Sequence, residues 1–229
     1  GRRLEDSGDH QAWSFRREGI RPEFIEATGK IIEEAENVFQ KINHEMLLPL
    51  ADHIALAAKR AKENRQLPNP FTPDIRVLFG EEYQVALKGR EIIQQLTGYE
   101  ISEDEVGFIT LHIHAGLSDE AVSQTLDATR IVNEGIAMIE QEFDQKLESG
   151  SLGCTRLMSH MYYMILRTRK GEGTNADFNE FIFQNYPRTG EAAKRVCDYM
   201  SRQLKQPVAK EEIGFLAIHI QRVISPDTV

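Results

Sequence analysis

Apolar positions recur at steps of three and four along most of the chain. Phe24, Ile25, Ile31, Ile32, Ala35, Val38, Phe39 and Ile42 make one such stripe and predict an amphipathic helix over roughly residues 22–43. Ile131, Val132, Ile136, Met138, Ile139 and Phe143 make another, predicting a helix from near Asp119 to about Leu147. The two stripes are copies: Ile31-Ile32-Glu33 returns as Met138-Ile139-Glu140, 107 positions later. At the same offset Glu103-Asp104-Glu105-Val106-Gly107-Phe108-Ile109-Thr110-Leu111-His112-Ile113 returns as Lys210-Glu211-Glu212-Ile213-Gly214-Phe215-Leu216-Ala217-Ile218-His219-Ile220. One unit therefore occurs twice over about 200 residues.

Helix punctuation fills in the rest of the unit. Pro49 suits the first turn of a helix that carries His53. Gln66-Leu67-Pro68-Asn69-Pro70 is a loop, followed by a helix through Glu82 to Leu96. Ser102-Glu103-Asp104-Glu105 has capping-box spacing and opens the segment with His112. The second copy keeps Glu212 but has Ala209 in place of Ser102, which predicts a weaker cap. Gly171-Glu172-Gly173-Thr174-Asn175 marks its loop. Val106 to Ile113 is almost wholly apolar and rich in β-branched residues, so periodicity alone fits a buried strand as well as a buried helix. The cap and the neighbouring helices decide for helix. The expected fold is all-α, with two homologous modules at 20–118 and 126–226, a linker at 119–125, and a polar tag or linker at 1–19.

Composition narrows the function. At 229 residues and 41% hydrophobic content the chain can build two cores, and no run approaches the ~20 apolar residues of a membrane span. A net charge of −9 argues against a bare nucleic-acid surface and suits contacts with other proteins. Cys154 and Cys197 occupy non-equivalent positions without a Cys-x-x-Cys, as unpaired thiols in a reducing cytoplasm would.

The candidate chemistry lies in four histidines. His53 and His112 stand 59 positions apart, as do His160 and His219, and the second pair follows the first at the offset of 107. A histidine in an apolar helix is most often a hydrogen-bonded core residue, and duplication copies structural residues as faithfully as functional ones. Metal binding fits poorly, because no His-x-x-x-His or Glu-x-x-His surrounds these positions. His114 lies two residues from His112, on another side of the helix, and its counterpart is Gln221. Neither a Gly-x-Ser-x-Gly nor a glycine-rich phosphate loop is present, and Asp52 beside His53 becomes Ser159 beside His160. No enzyme, cofactor or metal is therefore expected, a metal-dependent helical enzyme with histidine ligands being the reading of a different class. Phosphorylation on the imidazole is the remaining chemistry: a neutral ring carries a nucleophilic nitrogen that accepts a phosphoryl group from a phosphohistidine or phosphocysteine. The added charge would disrupt a packed helical interface or order it through arginine.

The segments Leu50-Ala51-Asp52-His53-Ile54, Gly107 to Ile113, Leu157-Met158-Ser159-His160-Met161 and Gly214 to Ile220 resemble the four histidine signatures of tandem PRDs. These are the phosphotransferase-system regulation domains of the BglG/LicT/SacY transcriptional antiterminators. Asn69-Pro70-Phe71 is also similar to the first-module loop of that family. The resemblance implies two five-helix modules that homodimerise module to module. It implies that His53 and His112 receive an inhibitory phosphoryl group from the sugar permease (enzyme II), and that phosphorylation of His160 and His219 by HPr activates. Activation in the family closes the dimer, so that an N-terminal RNA-binding domain pairs on a hairpin in nascent mRNA. That domain is expected to be absent here, residues 1–20 being too few and too polar, which makes the chain a regulatory fragment. A PRD fragment of a DNA-binding activator is the alternative. Within each module the two histidines are expected to converge from two helices onto one surface, where the dimer partner would meet them.

Overall fold

Pro22 at the first helical turn and a buried stripe of Phe24, Ala27, Thr28, Ile31, Ile32 and Ala35 make the first helix, α1 (Pro22–Phe39). It ends on Gln40, whose left-handed backbone (φ 64°) returns its N–H to the carbonyl of Glu36. The computed structural model describes residues 19–224. Apart from Gly19, the tag or linker expected at 1–19 lies outside them, as do the last two residues of the expected second module. A short 3₁₀ turn (His44–Met46) leads into α2 (Leu47–Lys62), with Lys59, Arg60 and Lys62 in its last turn, where cations meet the helix dipole. Then come α3 (Thr72–Leu78), α4 (Gly80–Thr97) and α5 (Glu103–Leu117). The second set is α6 (Val122–Phe143), α7 (Leu152–Arg169), α8 (Asn179–Asn185), α9 (Pro187–Leu204) and α10 (Glu212–Gln221). All regular structure among the described residues is helical, five α-helices to each copy of the repeat.

The chain divides into two compact units between Thr125 and Leu126. Residues 122–125 of the expected linker are thus helical and open α6. In the first unit α1 lies chiefly along α4, and α4 along α5, closing a core of Ile31, Leu50, Ile54, Ile93, Ile109 and Ile113 among others. In the second, α9 packs on α8 and α10, and α10 on α7. Gly135 brings α6 against Met161 of α7 and Val196 of α9.

The segment from Val106 to Ile113 is helical and buried on nearly every side, which is why it showed no polar face in the sequence. Ser102 caps α5 by accepting from the Glu105 N–H at 3.3 Å. The reciprocal half of the predicted capping box does not form, because the Glu105 carboxylate turns to His53 and Arg60 on α2. Without a capping side chain, α10 starts at Glu212, two residues later than the counterpart of Glu103.

The short helices α3 and α8 have no individual signature in the sequence. Each ends at an aromatic residue outside helical geometry, Phe79 (φ −125°, ψ 51°) and Tyr186 (φ −137°, ψ 60°), which sit at equivalent repeat positions. Both dock on the first turn of a histidine-bearing helix. Thr72 donates to Asp104 at 2.9 Å, and Asn179 accepts from the Gly214 N–H at 2.8 Å while donating to the Lys210 carbonyl at 2.9 Å. The approach at Gly214 admits no side chain, since a Cβ there would stand 2.8 Å from Asn179 Oδ1 and 3.0 Å from the backbone carbon of Phe178. Gly214→Ala is therefore expected to lower unfolding stability by about 1–3 kcal/mol. Gly150→Ala, with open space around the glycine, should change it by no more than about 0.5 kcal/mol. Denaturant unfolding of the two variants checks the difference.

Candidate functional site

His53 projects from α2 and His112 from α5, and their ring centroids lie 5.1 Å apart. His160 from α7 and His219 from α10 lie 4.2 Å apart and stack at 28°. The four residues singled out in the sequence are thus two pairs of facing rings. His114 points elsewhere: it packs on Phe79 at 4.3 Å and its Nδ1 meets Glu82 at 3.2 Å. The equivalent pair in the second copy is Thr189 donating to Gln221 at 2.7 Å, so the contact is duplicated and its charge is not.

Each module also buries a carboxylate that the sequence marks only as a helix-start residue. In the first module Glu105 is 4% exposed. It accepts from His53 Nε2 at 2.9 Å and from Arg60 Nε at 2.7 Å. In the second, Glu212 is 2% exposed and both of its oxygens are taken by Arg167, at 2.8 and 2.9 Å. His160 Nε2 is left buried without a hydrogen-bond partner. Arg60 and Arg167 stand at the repeat offset, as do Glu105 and Glu212, so the same comparison that found the histidines holds the signal for both arginines.

Burial lowers three of the four rings. It lowers His112 to about 4, with the neighbouring His53 adding to the effect. Burial, then the facing His219 and Arg167, lowers His160 to about 3. His219 is also lowered, by burial first and then by Arg222 and Arg156. For Glu105 burial alone would raise the value, but the hydrogen bonds from His53 and Arg60 outweigh it and hold the carboxyl below its usual range.

The surroundings of the two pairs differ in sign. His112 lines a cleft of about 660 Å³ with Glu45, Asp119 and Glu120 on its walls. The second pair has Arg156 one turn before His160 and Arg222 three residues after His219, where the first copy has Pro49 and Ala115. Among the described residues no group of three or more His, Cys, Asp or Glu side chains is arranged to hold a metal ion. Cys154 and Cys197 are buried thiols outside any disulfide, and burial, followed by the nearby Glu212 and Asp198, pushes Cys197 up to about 12, away from thiolate chemistry.

The repeated module matches a known family. The family model described as PRD domain matches the chain twice, over residues 29–116 and 129–223. The chain belongs to the PRD domain family. Both matched segments contain one histidine pair with its arginine and glutamate, so all eight residues lie within PRD copies. Among curated relatives, the "GlcA/glcB genes antiterminator" of Staphylococcus carnosus is 30% identical over 181 residues, covering 78% of this chain and 63% of the relative. "Protein GlcT" of Staphylococcus saprophyticus is 28% identical over 200 residues, covering 86% of this chain and 71% of the relative. The chain thus spans just under two thirds of the first relative's length. A solved structure of GlcT CAT-PRDI shares 32% sequence identity and covers 43% of this chain and 60% of that one, with a TM-score of 0.41. No helix among the described residues is long and apolar enough to cross a membrane.

The lowered histidine values fix a pH dependence for these PRDs. Unfolded histidines bind protons from about pH 6.5 downwards while native His112 and His160 do not, so stability is complete above that value and falls as pH drops towards 4 and 3. Glu105, also lowered, contributes in the same direction at the acid end. Each ring is expected to cost at most roughly 2 kcal/mol between pH 6.5 and 5. Urea unfolding at the two pH values should show the loss, and a His112→Gln/His160→Gln double variant should flatten the slope.

Proposed function

We propose that this chain is the regulatory region of a sugar-responsive transcriptional antiterminator, switched by reversible phosphorylation of His53, His112, His160 and His219. The donors are HPr and enzyme II of the sugar phosphotransferase system. Phosphorylation controls the packing of a homodimer in the cytoplasm, and through it RNA binding by a separate N-terminal domain. The observation that carries this reading is the pairing itself, with two half-buried rings in contact in each module and a buried glutamate on the second histidine-bearing helix of each. Rings kept uncharged by burial retain a nitrogen lone pair for attack on phosphorus. The antiterminator name of the Staphylococcus carnosus relative supports the biological assignment.

The local charges support opposite signs in the two modules. A phosphoryl group brings about −1.5 to −2 charges at neutral pH. Beside His219 it meets Arg156 and Arg222, the two arginines that already act on that ring, and the added charge is held in place. Beside His112 it meets Glu45, Asp119 and Glu120, and the same charge is repelled. HPr acting on the second module would therefore tighten its packing, and enzyme II acting on the first would loosen it. Incubation with enzyme I, HPr and phosphoenolpyruvate is expected to add acid-labile mass that a His160→Ala/His219→Ala variant loses in large part. An unchanged mass under those conditions refutes the proposal.

A further inference from the structure

Glu105 and Glu212 are equivalent residues with different partners. Glu105 divides its oxygens between Arg60 Nε and His53 Nε2, whereas Arg167 Nε and Nη2 take both oxygens of Glu212. A carboxylate held below its usual pKa is an acceptor only, so the Nε2 of His53 must carry the ring proton. The lone pair then sits on Nδ1, which makes no hydrogen bond among the described residues. His160 has no such partner, for its Nε2 is buried and unbonded. The two modules thus present their phosphate-accepting rings in different ways.

We propose that Glu105 is a positioning residue for phosphoryl transfer to the first module: it pins the proton of His53 on Nε2 and so makes Nδ1 the nitrogen that takes the phosphoryl group. This role rests on the phosphorylation of His53 proposed for the module. In the step, the Nδ1 lone pair forms the new N–P bond while the donor's P–N or P–S bond breaks, its electron pair staying with the donor atom. The Nε2 proton does not move. The acceptor ring acquires the positive charge of an N-phosphoimidazolium, and Glu105, 2.9 Å from Nε2, faces that charge as it forms. The carboxylate has the role that a buried aspartate has towards a general-base histidine, fixing the tautomer and stabilising the cation. Arg167 denies Glu212 that role, and His160 is kept neutral by burial first, then by the facing His219 and Arg167.

The test uses the chain labelled with ¹⁵N-histidine and potassium phosphoramidate as phosphoryl donor, which needs no partner protein. Long-range ¹H–¹⁵N spectra of the untreated chain are expected to show His53 with its proton on Nε2. After treatment, ³¹P–¹⁵N coupling should place phosphorus on His53 Nδ1. Glu105→Gln should slow phosphorylation of His53 by roughly 100-fold, and Glu26→Gln, at an exposed carboxylate of α1, should leave that rate within about twofold. A proton on Nδ1, phosphorus on Nε2, or a Glu105→Gln rate equal to that of the unmodified chain overturns the proposal. If no histidine takes up phosphorus from any donor, the phosphorylation reading itself falls. The tautomer measurement on the untreated chain still decides whether Glu105 pins the ring.

Discussion

Two arginine–carboxylate pairs, each a buried glutamate met by a half-buried arginine, tie the histidine-bearing helices together. Arg60 on α2 reaches Glu105 on α5, 45 positions away, and Arg167 on α7 reaches Glu212 on α10 across the same interval. Exposed pairs such as Lys30–Glu26 contribute about 0.5 kcal/mol or less. Removing the arginine of such a pair strands a buried carboxylate and costs up to about 3–5 kcal/mol. This difference sets which charges matter. The histidine rings meet because the pairs fix the helices that carry them, and the approach of α3 and α8 to the first turns of α5 and α10 fixes those helices from the other side.

The same constraint sets what charge the site admits. Burial holds His112 and His160 uncharged, so the packing around them is most stable in that state. Under the proposed switching, a phosphoryl group would deliver charge where packing has excluded it, and its effect would depend on the nearest fixed charges. Arginines at positions 156 and 222 replace Pro49 and Ala115 of the first copy, while Glu45, Asp119 and Glu120 line the cleft beside His112. A duplicated scaffold thereby carries two histidine pairs in surroundings of different charge. Residues that did not survive duplication unchanged are as informative as those that did.

The long amphipathic helices and the repeat were legible in the sequence because each depends on local pattern. Ile31, Ile32 and Ala35 bury one face of α1 and leave the rest to water, which is what periodicity reports. The helix at Val106–Ile113 was ambiguous for the opposite reason: its burial is nearly complete, so the sequence has no polar side to display. The short helices α3 and α8 were invisible because seven residues hold too few turns for a period. Glu105 shows how a local rule fails. Its spacing from Ser102 is that of a capping box, and the cap's serine half forms, but His53 and Arg60 from 52 and 45 positions away outcompete the local backbone for its carboxylate. The offset of 107 already linked Arg60 to Arg167, so the pairs were present in the sequence as a coincidence of spacing without an assigned meaning.

Hydrogen–deuterium exchange of the chain before and after histidine phosphorylation tests most directly whether charge at these rings changes packing. The expected result is a change in amide protection concentrated in α2, α5, α7 and α10, with faster exchange in the first module and slower exchange in the second. Identical exchange in those four helices at full phosphorylation would contradict it.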